Sequence, residues 1–170
     1  MARLHDAQVA SVYKYFFLII EPISALTGAY YSFYQPQTYL DLTHANSSPK
    51  QGIPTSTQVV LAQLANLYFL FAINEALVLR STTDLKVWRA VTFCLLIADI
   101  GHLYSVKAVG WRIYWDVFDW NAIDWGNVFF VYVGASMRLS FLLGFGVGPP
   151  GQQAIRRSNR RKRPSVRLKG

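Results

Sequence analysis

The chain has 170 residues, 52% of them A, V, I, L, M, F, W, Y or C, and carries 17 Lys+Arg against 9 Asp+Glu, a net charge of +8. That length bounds it to one domain, and so large an apolar share is high for a soluble fold but ordinary in lipid. A single cysteine, Cys94, excludes an intramolecular disulfide, a CxxC couple and a Cys-rich metal site, and with them the dithiol type of membrane quinone or epoxide reductase.

Four windows, 12–34, 57–79, 88–106 and 127–147, are long and apolar enough to cross a bilayer, since about 20 residues at 1.5 Å each match a hydrocarbon core about 30 Å thick. The expected fold is all-α, a four-transmembrane-helix domain over residues 1–148. The first window is not a cleavable signal peptide, because it is too long and carries Glu21-Pro22 at its centre. Pro22 frees the carbonyl of Leu18 and disturbs the helix one turn earlier. Residues 35–54 read as a loop with a short interfacial turn around residues 39–42. The short connection after the second window makes spans two and three an expected antiparallel pair. The connection before the fourth window interleaves Trp111, Trp115, Trp120 and Trp125 with Asp116, Asp119 and Asp124, as an aromatic belt at the headgroups or a lid over a pocket.

Beyond residue 148 the composition changes. Arg156, Arg157, Arg160, Arg161, Lys162, Arg163, Arg167 and Lys169 occur without one acid, so residues 149–170 read as a disordered basic tail near anionic headgroups rather than a nucleic-acid site. With four spans, this tail shares a side with Arg3, Lys14, Arg80, Lys86 and Arg89, and only Lys50, Lys107 and Arg112 lie opposite. The positive-inside rule then places both termini in the cytosol. An arginine-based retention signal is an alternative reading of the tail, and the endoplasmic reticulum is the expected membrane.

Counting 1.5 Å per residue from the cytosolic end of each span puts Glu21 about 13 Å up, Asp99 about 16 Å and Arg138 about 14 Å. Asn66 and His102 follow at about 20 and 21 Å, with Gln63 nearby and Tyr104 near the lumenal end. Each charge costs about 2.5–3.5 kcal/mol at the centre of a bilayer, so three of them at one depth are expected to meet inside the bundle. Arg138 can bridge two carboxylates, either as a strut or as part of an acid–base site. Excess carboxyl at a dry site separates a protonated acid from an ionised base. Glu21, Asp99 and Arg138 are therefore the candidate catalytic groups, with Asn66, His102, Gln63 and Tyr104 as candidate substrate contacts. Glu75, near the cytosolic end of its span, reads as a structural partner of Arg80 or Arg89, and Gly28 and Gly134 as small-residue helix contacts.

At "IIEPISALTGAYY", "NLYFLFAINEA" and "ADIGHLYSV" the chain resembles a family of small fungal four-helix membrane proteins, over roughly residues 10–148. The Glu-Pro of its first helix and the Asp-x-x-His of its third correspond to Glu21-Pro22 and Asp99/His102. The resemblance implies a place in secondary-metabolite pathways. A looser likeness is to the sterol-isomerase and sigma-receptor superfamily, from which no residue roles transfer.

The function expected from these residues is acid–base chemistry on a lipophilic small molecule, best matched by epoxide hydrolysis or cyclisation. One carboxylate and an amide would activate water, and the other carboxyl would protonate the epoxide oxygen. This chemistry calls for no cofactor and no metal, and GxSxG, HExxH and phosphate-loop motifs are absent from the sequence. Double-bond isomerisation uses the same groups. The competing class is a non-catalytic scaffold or lipophile-binding protein, and transport ranks behind both.

Overall fold

A computed structural model describes residues 8–45 and 47–148. The basic tail, residues 149–170, lies outside the described residues. The architecture is all-helical, apart from a two-residue antiparallel pairing of β1 (Gln8–Val9) with β2 (Val147–Gly148) that brings the two ends together. Four long helices run between them: α1 (Ser11–Tyr34), α3 (Thr55–Val78), α4 (Leu85–Val109) and α5 (122–142), with a short α2 (Pro36–Thr43) after the first. The first three long helices, of 24, 24 and 25 residues, are long and apolar enough to cross a membrane. Ile19, Ile23, Leu67, Phe69, Leu70, Phe93, Ile97 and Ile100 are exposed along their outer faces. Such surfaces belong in hydrocarbon, so the chain is a membrane protein.

Each long helix turns a narrow stripe inward. Leu61, Ala65, Ala72 and Glu75 are buried on α3, and Trp88, Thr92 and Leu95 on α4, at spacings of three, four and seven residues. The extensive packing runs between α1 and α3 and between α4 and α5, not between spans two and three as their short connection suggested. Gly28 permits the first of these approaches, since a Cβ there would lie 3.2 Å from the Tyr68 ring. A cavity occupies the space between the two helix pairs.

Local chemistry moves several boundaries. Pro22 has no N–H to give Leu18, the preceding turn Phe16–Ile20 widens into π geometry, and Arg80 Nη2 donates to the freed Leu18 carbonyl at 2.6 Å. Arg80 is thus engaged away from Glu75. The fourth helix spans 122–142 rather than the expected 127–147. Asn121 starts it with a capping box, accepting from the Ile123 and Asp124 amides while Asp124 accepts from Asn121 N at 3.0 Å. Gly144 and Gly146, at φ 88° and 69°, turn the chain out of helix at the other end. The loop 35–54 contains all of α2, opened by Pro36 at its first turn, and buries Tyr39.

The two ends of the bundle are closed differently. At the near end, beside the β pairing, Tyr13, Phe16, Phe17, Leu79, Trp88 and Phe141 form one buried cluster. At the far end, α2 and the start of α5 form a roof, tied by Asn121 Nδ2 donating to Leu42 O at 2.7 Å. Trp120 packs edge-on against Trp125, while Arg112 pairs with Asp116 and, at 3.6 Å, with Asp119.

Candidate functional site

Arg138 projects from the middle of α5 into the bundle and is 3% exposed. Its Nη1 donates to Asp99 Oδ2 on α4 at 2.5 Å, and its Nη2 donates to Glu21 Oε1 on α1 and to Glu75 Oε1 on α3 at 3.3 Å. One guanidinium therefore gathers a carboxyl from each of the three other long helices. Phe17 lies beneath it, with the guanidinium carbon 6.0 Å from the ring centroid, so the near-end aromatic cluster forms the floor of the site.

Two sequence features make this possible. The π turns at Phe16–Ile20 and Asn74–Val78 flank or contain Glu21 and Glu75 and rephase those carboxyls toward the axis. Gly134, one turn before Arg138, leaves room for the guanidinium: a Cβ there would sit 2.8 Å from Nη1 and 3.4 Å from Glu21 Oε1. Gly134 thus serves its own helix's arginine rather than a neighbouring helix.

Above the cluster opens a cavity of about 390 Å³, bordered by Glu21, Glu75, Asp99 and Arg138 and otherwise largely apolar, with Ala25, Gly28, Phe71, Leu95, Ala98, Phe130 and Val131 in its walls. The side chains of Glu21 and Asp99 keep 12% and 13% exposure, against 1% for Glu75. Those first two are the more open to a ligand, while Glu75 borders the cavity but is almost wholly covered. Glu21 Oε2, Glu75 Oε2 and Arg138 Nε are buried without a hydrogen-bond partner among the described residues. Polar atoms so placed normally hold a partner, so the site has unused capacity for hydrogen bonding.

The far part of the cavity is polar in a different way. Tyr39 and Tyr68 share a hydrogen bond between their hydroxyls at 3.2 Å, and the Asn127 side chain is a further partner of Tyr39. Burial pushes the Tyr39 phenol above its ordinary value, keeping it a neutral donor. His102 Nε2 lies 3.0 Å from the Asn127 carbonyl, within the π turn Trp125–Phe130. A carbonyl only accepts, so Nε2 carries the hydrogen of this contact and Nδ1 is the ring nitrogen left for another partner.

Of the residues expected at the site, Glu21, Asp99, Arg138 and His102 all border the cavity. Asn66, Gln63 and Tyr104 do not. Asn66 and Gln63 are exposed on α3, roughly opposite the stripe of Leu61, Ala65 and Ala72, and Tyr104 is 74% exposed beyond the end of the stripe on α4. The count of depth said nothing of rotation, and the helical phase turns them outward. The residues that depth alone missed are Glu75, Tyr68, Tyr39 and Asn127. Glu75 falls ten and fourteen residues after Ala65 and Leu61, a phase that repeats the inward stripe and that the sequence already contains.

A family model described as "Domain of unknown function (DUF7704)" matches residues 6–147. No curated protein and no solved structure matches the chain.

Proposed function

The chain belongs to the DUF7704 family, and on that premise we propose that it is a membrane-embedded enzyme performing acid–base chemistry on a lipophilic small molecule, with epoxide opening as the reaction. The observation that carries this reading is the placement of the Glu21–Arg138–Asp99 cluster at the floor of a largely apolar cavity of about 390 Å³. A structural strut alone needs no such void, whereas a small-molecule site needs a concave apolar volume with a few convergent polar groups. The strut reading draws on a different fact: Arg138 already engages all three carboxyls. A non-catalytic lipophile-binding protein would use the same cavity.

In the proposed reaction one of the two accessible carboxyls, Glu21 or Asp99, is an ionised base and the other a protonated acid. The base takes a proton from water as the water oxygen attacks an epoxide carbon. That C–O bond forms while the ring C–O bond breaks, and the acid gives its proton to the ring oxygen. Transfer of the captured proton between the carboxyls, both held by Arg138, restores the starting state. Glu75 keeps the guanidinium from leaving the axis. An amide from Asn66 has no part in this scheme, because that side chain lies outside the cavity. Intramolecular attack by an alkene or hydroxyl in place of water gives cyclisation with the same groups.

The proposed setting is a four-span topology with both termini cytosolic, in the endoplasmic reticulum and, as the sequence resemblance implies, in secondary metabolism. The pairing of β1 with β2 supports an even number of crossings, since it holds the two described ends together. The decisive experiment incubates full-length protein in lipid nanodiscs with a panel of lipophilic epoxides in oxygen-18 water. A labelled diol from the wild type, absent from Asp99→Asn, is the expected result. A well-folded wild type that opens none of the epoxides overturns the reading in favour of a binding protein or strut.

A further inference from the structure

The cavity has two polar ends of unlike chemistry. The floor is ionic and built around Arg138; the far end holds phenol, imidazole and amide groups, from Tyr39, Tyr68, His102 and Asn127. Tyr68 and Glu75 lie on the same inward face of α3 seven residues apart, which sets the two ends roughly 10 Å from each other at 1.5 Å per residue. The walls between them are mostly apolar, with Leu95, Ala98 and Phe130 among them.

The far end is more than lining. Two phenols that share one hydrogen bond use one hydroxyl hydrogen, and the second is left for the Asn127 amide or for a ligand oxygen. Gly28 is what lets the Tyr68 ring lie against α1 at that height. A purely hydrocarbon ligand would strip these groups of any outside partner, which is unfavourable for buried donors. A ligand with an oxygen at that distance would satisfy them.

We infer that the site takes a bifunctional lipophile: an apolar body with one oxygen function at the ionic floor and a second hydroxyl, carbonyl or ether oxygen about 10 Å away, read by the Tyr39–Tyr68 pair. This rests on the substrate-site reading above and adds the residues that determine specificity. Tyr39 and Tyr68 select and orient, and they are remote from bond making.

The test measures binding rather than turnover. The probes are α,ω-alkanediols from hexanediol to dodecanediol, each compared with its 1-alkanol, and affinities for the full chain in nanodiscs are obtained after subtracting partition into empty discs. The wild type should bind heptane- or octanediol about 5- to 10-fold more tightly than the matching alkanol, the worth of one neutral hydrogen bond. Tyr39→Phe and Tyr68→Phe should erase that preference while leaving alkanol affinity unchanged, which also shows that the variants fold. Tyr104→Phe should keep it. Equal affinity for diols and alkanols in the wild type, or no binding of either, overturns the inference. A preference without a maximum near the predicted length does so too. Epoxide opening without a diol preference removes this inference alone; a diol preference without epoxide opening removes the proposed reaction alone.

Discussion

Alanine at position 134 leaves every ionisable group in place, yet it should disable the site. The added methyl would lie 2.8 Å from Arg138 Nη1. Comfortable contact is about 3.5–4.0 Å, so the guanidinium must retreat by about 1 Å. A free arginine end would swing aside at little cost. This one is held by carboxyls from α1, α3 and α4 and is 3% exposed, so retreat breaks at least the bond to Asp99. Loss of a charge-assisted hydrogen bond costs about 1.5–3 kcal/mol. The gain in helix propensity from Gly to Ala offsets about 1 kcal/mol of it, leaving a net destabilisation of about 0.5–2 kcal/mol. The effect on rate should be larger, because a misplacement of about 1 Å in a positioned group costs about 10²-fold. Purified Gly134→Ala would be assayed for thermal unfolding in detergent and for epoxide opening per folded molecule in nanodiscs. Gly28→Ala provides the contrast, since its methyl meets a tyrosine ring rather than the charged cluster. Wild-type turnover by Gly134→Ala would refute the reasoning, since it would show that the guanidinium need not be where the structure puts it.

Glu21→Gln and Asp99→Asn should accumulate normally while epoxide opening drops by about 10²–10⁴-fold, the scale for one positioned proton-transfer group; a fall in turnover that merely tracks lost protein would support the strut. Arg138→Lys, which loses the planar fork that serves three carboxyls, should unfold at markedly lower temperature, with breaking of a buried pair costing about 3–5 kcal/mol. Gln63→Ala, Asn66→Ala and Tyr104→Phe should each stay within about 0.5 kcal/mol and keep activity, as outward-facing residues do; a large effect of Asn66→Ala would restore its proposed role in activating water. Glycosylation acceptors placed in the 35–54 loop should be modified and those at 81–83 should not, and the opposite pattern would overturn the assignment of both termini to the cytosol.

Depth was legible in the sequence and rotation was not. Counting from span ends placed Glu21, Asp99 and Arg138 at one level because helical rise is nearly constant. The same count put Asn66 at the level of His102, yet Asn66 faces outward, because depth carries no information about the azimuth of a side chain. Rotation is further blurred by the π turns, each of which adds a residue to the local winding and shifts everything after it. Glu75 shows the cost most clearly: its nearness to the span end suggested a cytosolic partner, whereas phase and the wide turn at Asn74–Val78 bring it onto Arg138. Tyr39 was hidden for a different reason. It comes from a loop by composition, and only the roof built by α2 and the start of α5 gives it a place in the cavity.

Arg138 sits on α5, which follows in the chain the three helices that carry its carboxyl partners, and this sets the order in which the site can be completed in the membrane. A ribosome feeding the chain from its N-terminus delivers Glu21, Glu75 and Asp99 to the bilayer before Arg138, the one cation that pairs with all three among the described residues. At about 2.5–3.5 kcal/mol for a charged group at the helix centre, α1, α3 and α4 without α5 would carry carboxyls that lipid alone tolerates poorly. A translocase or membrane chaperone that sheltered these helices until α5 arrives would offset that cost. Chains stalled before residue 138 should therefore remain crosslinkable to that machinery and be cleared by quality control, while chains extended past it should be released.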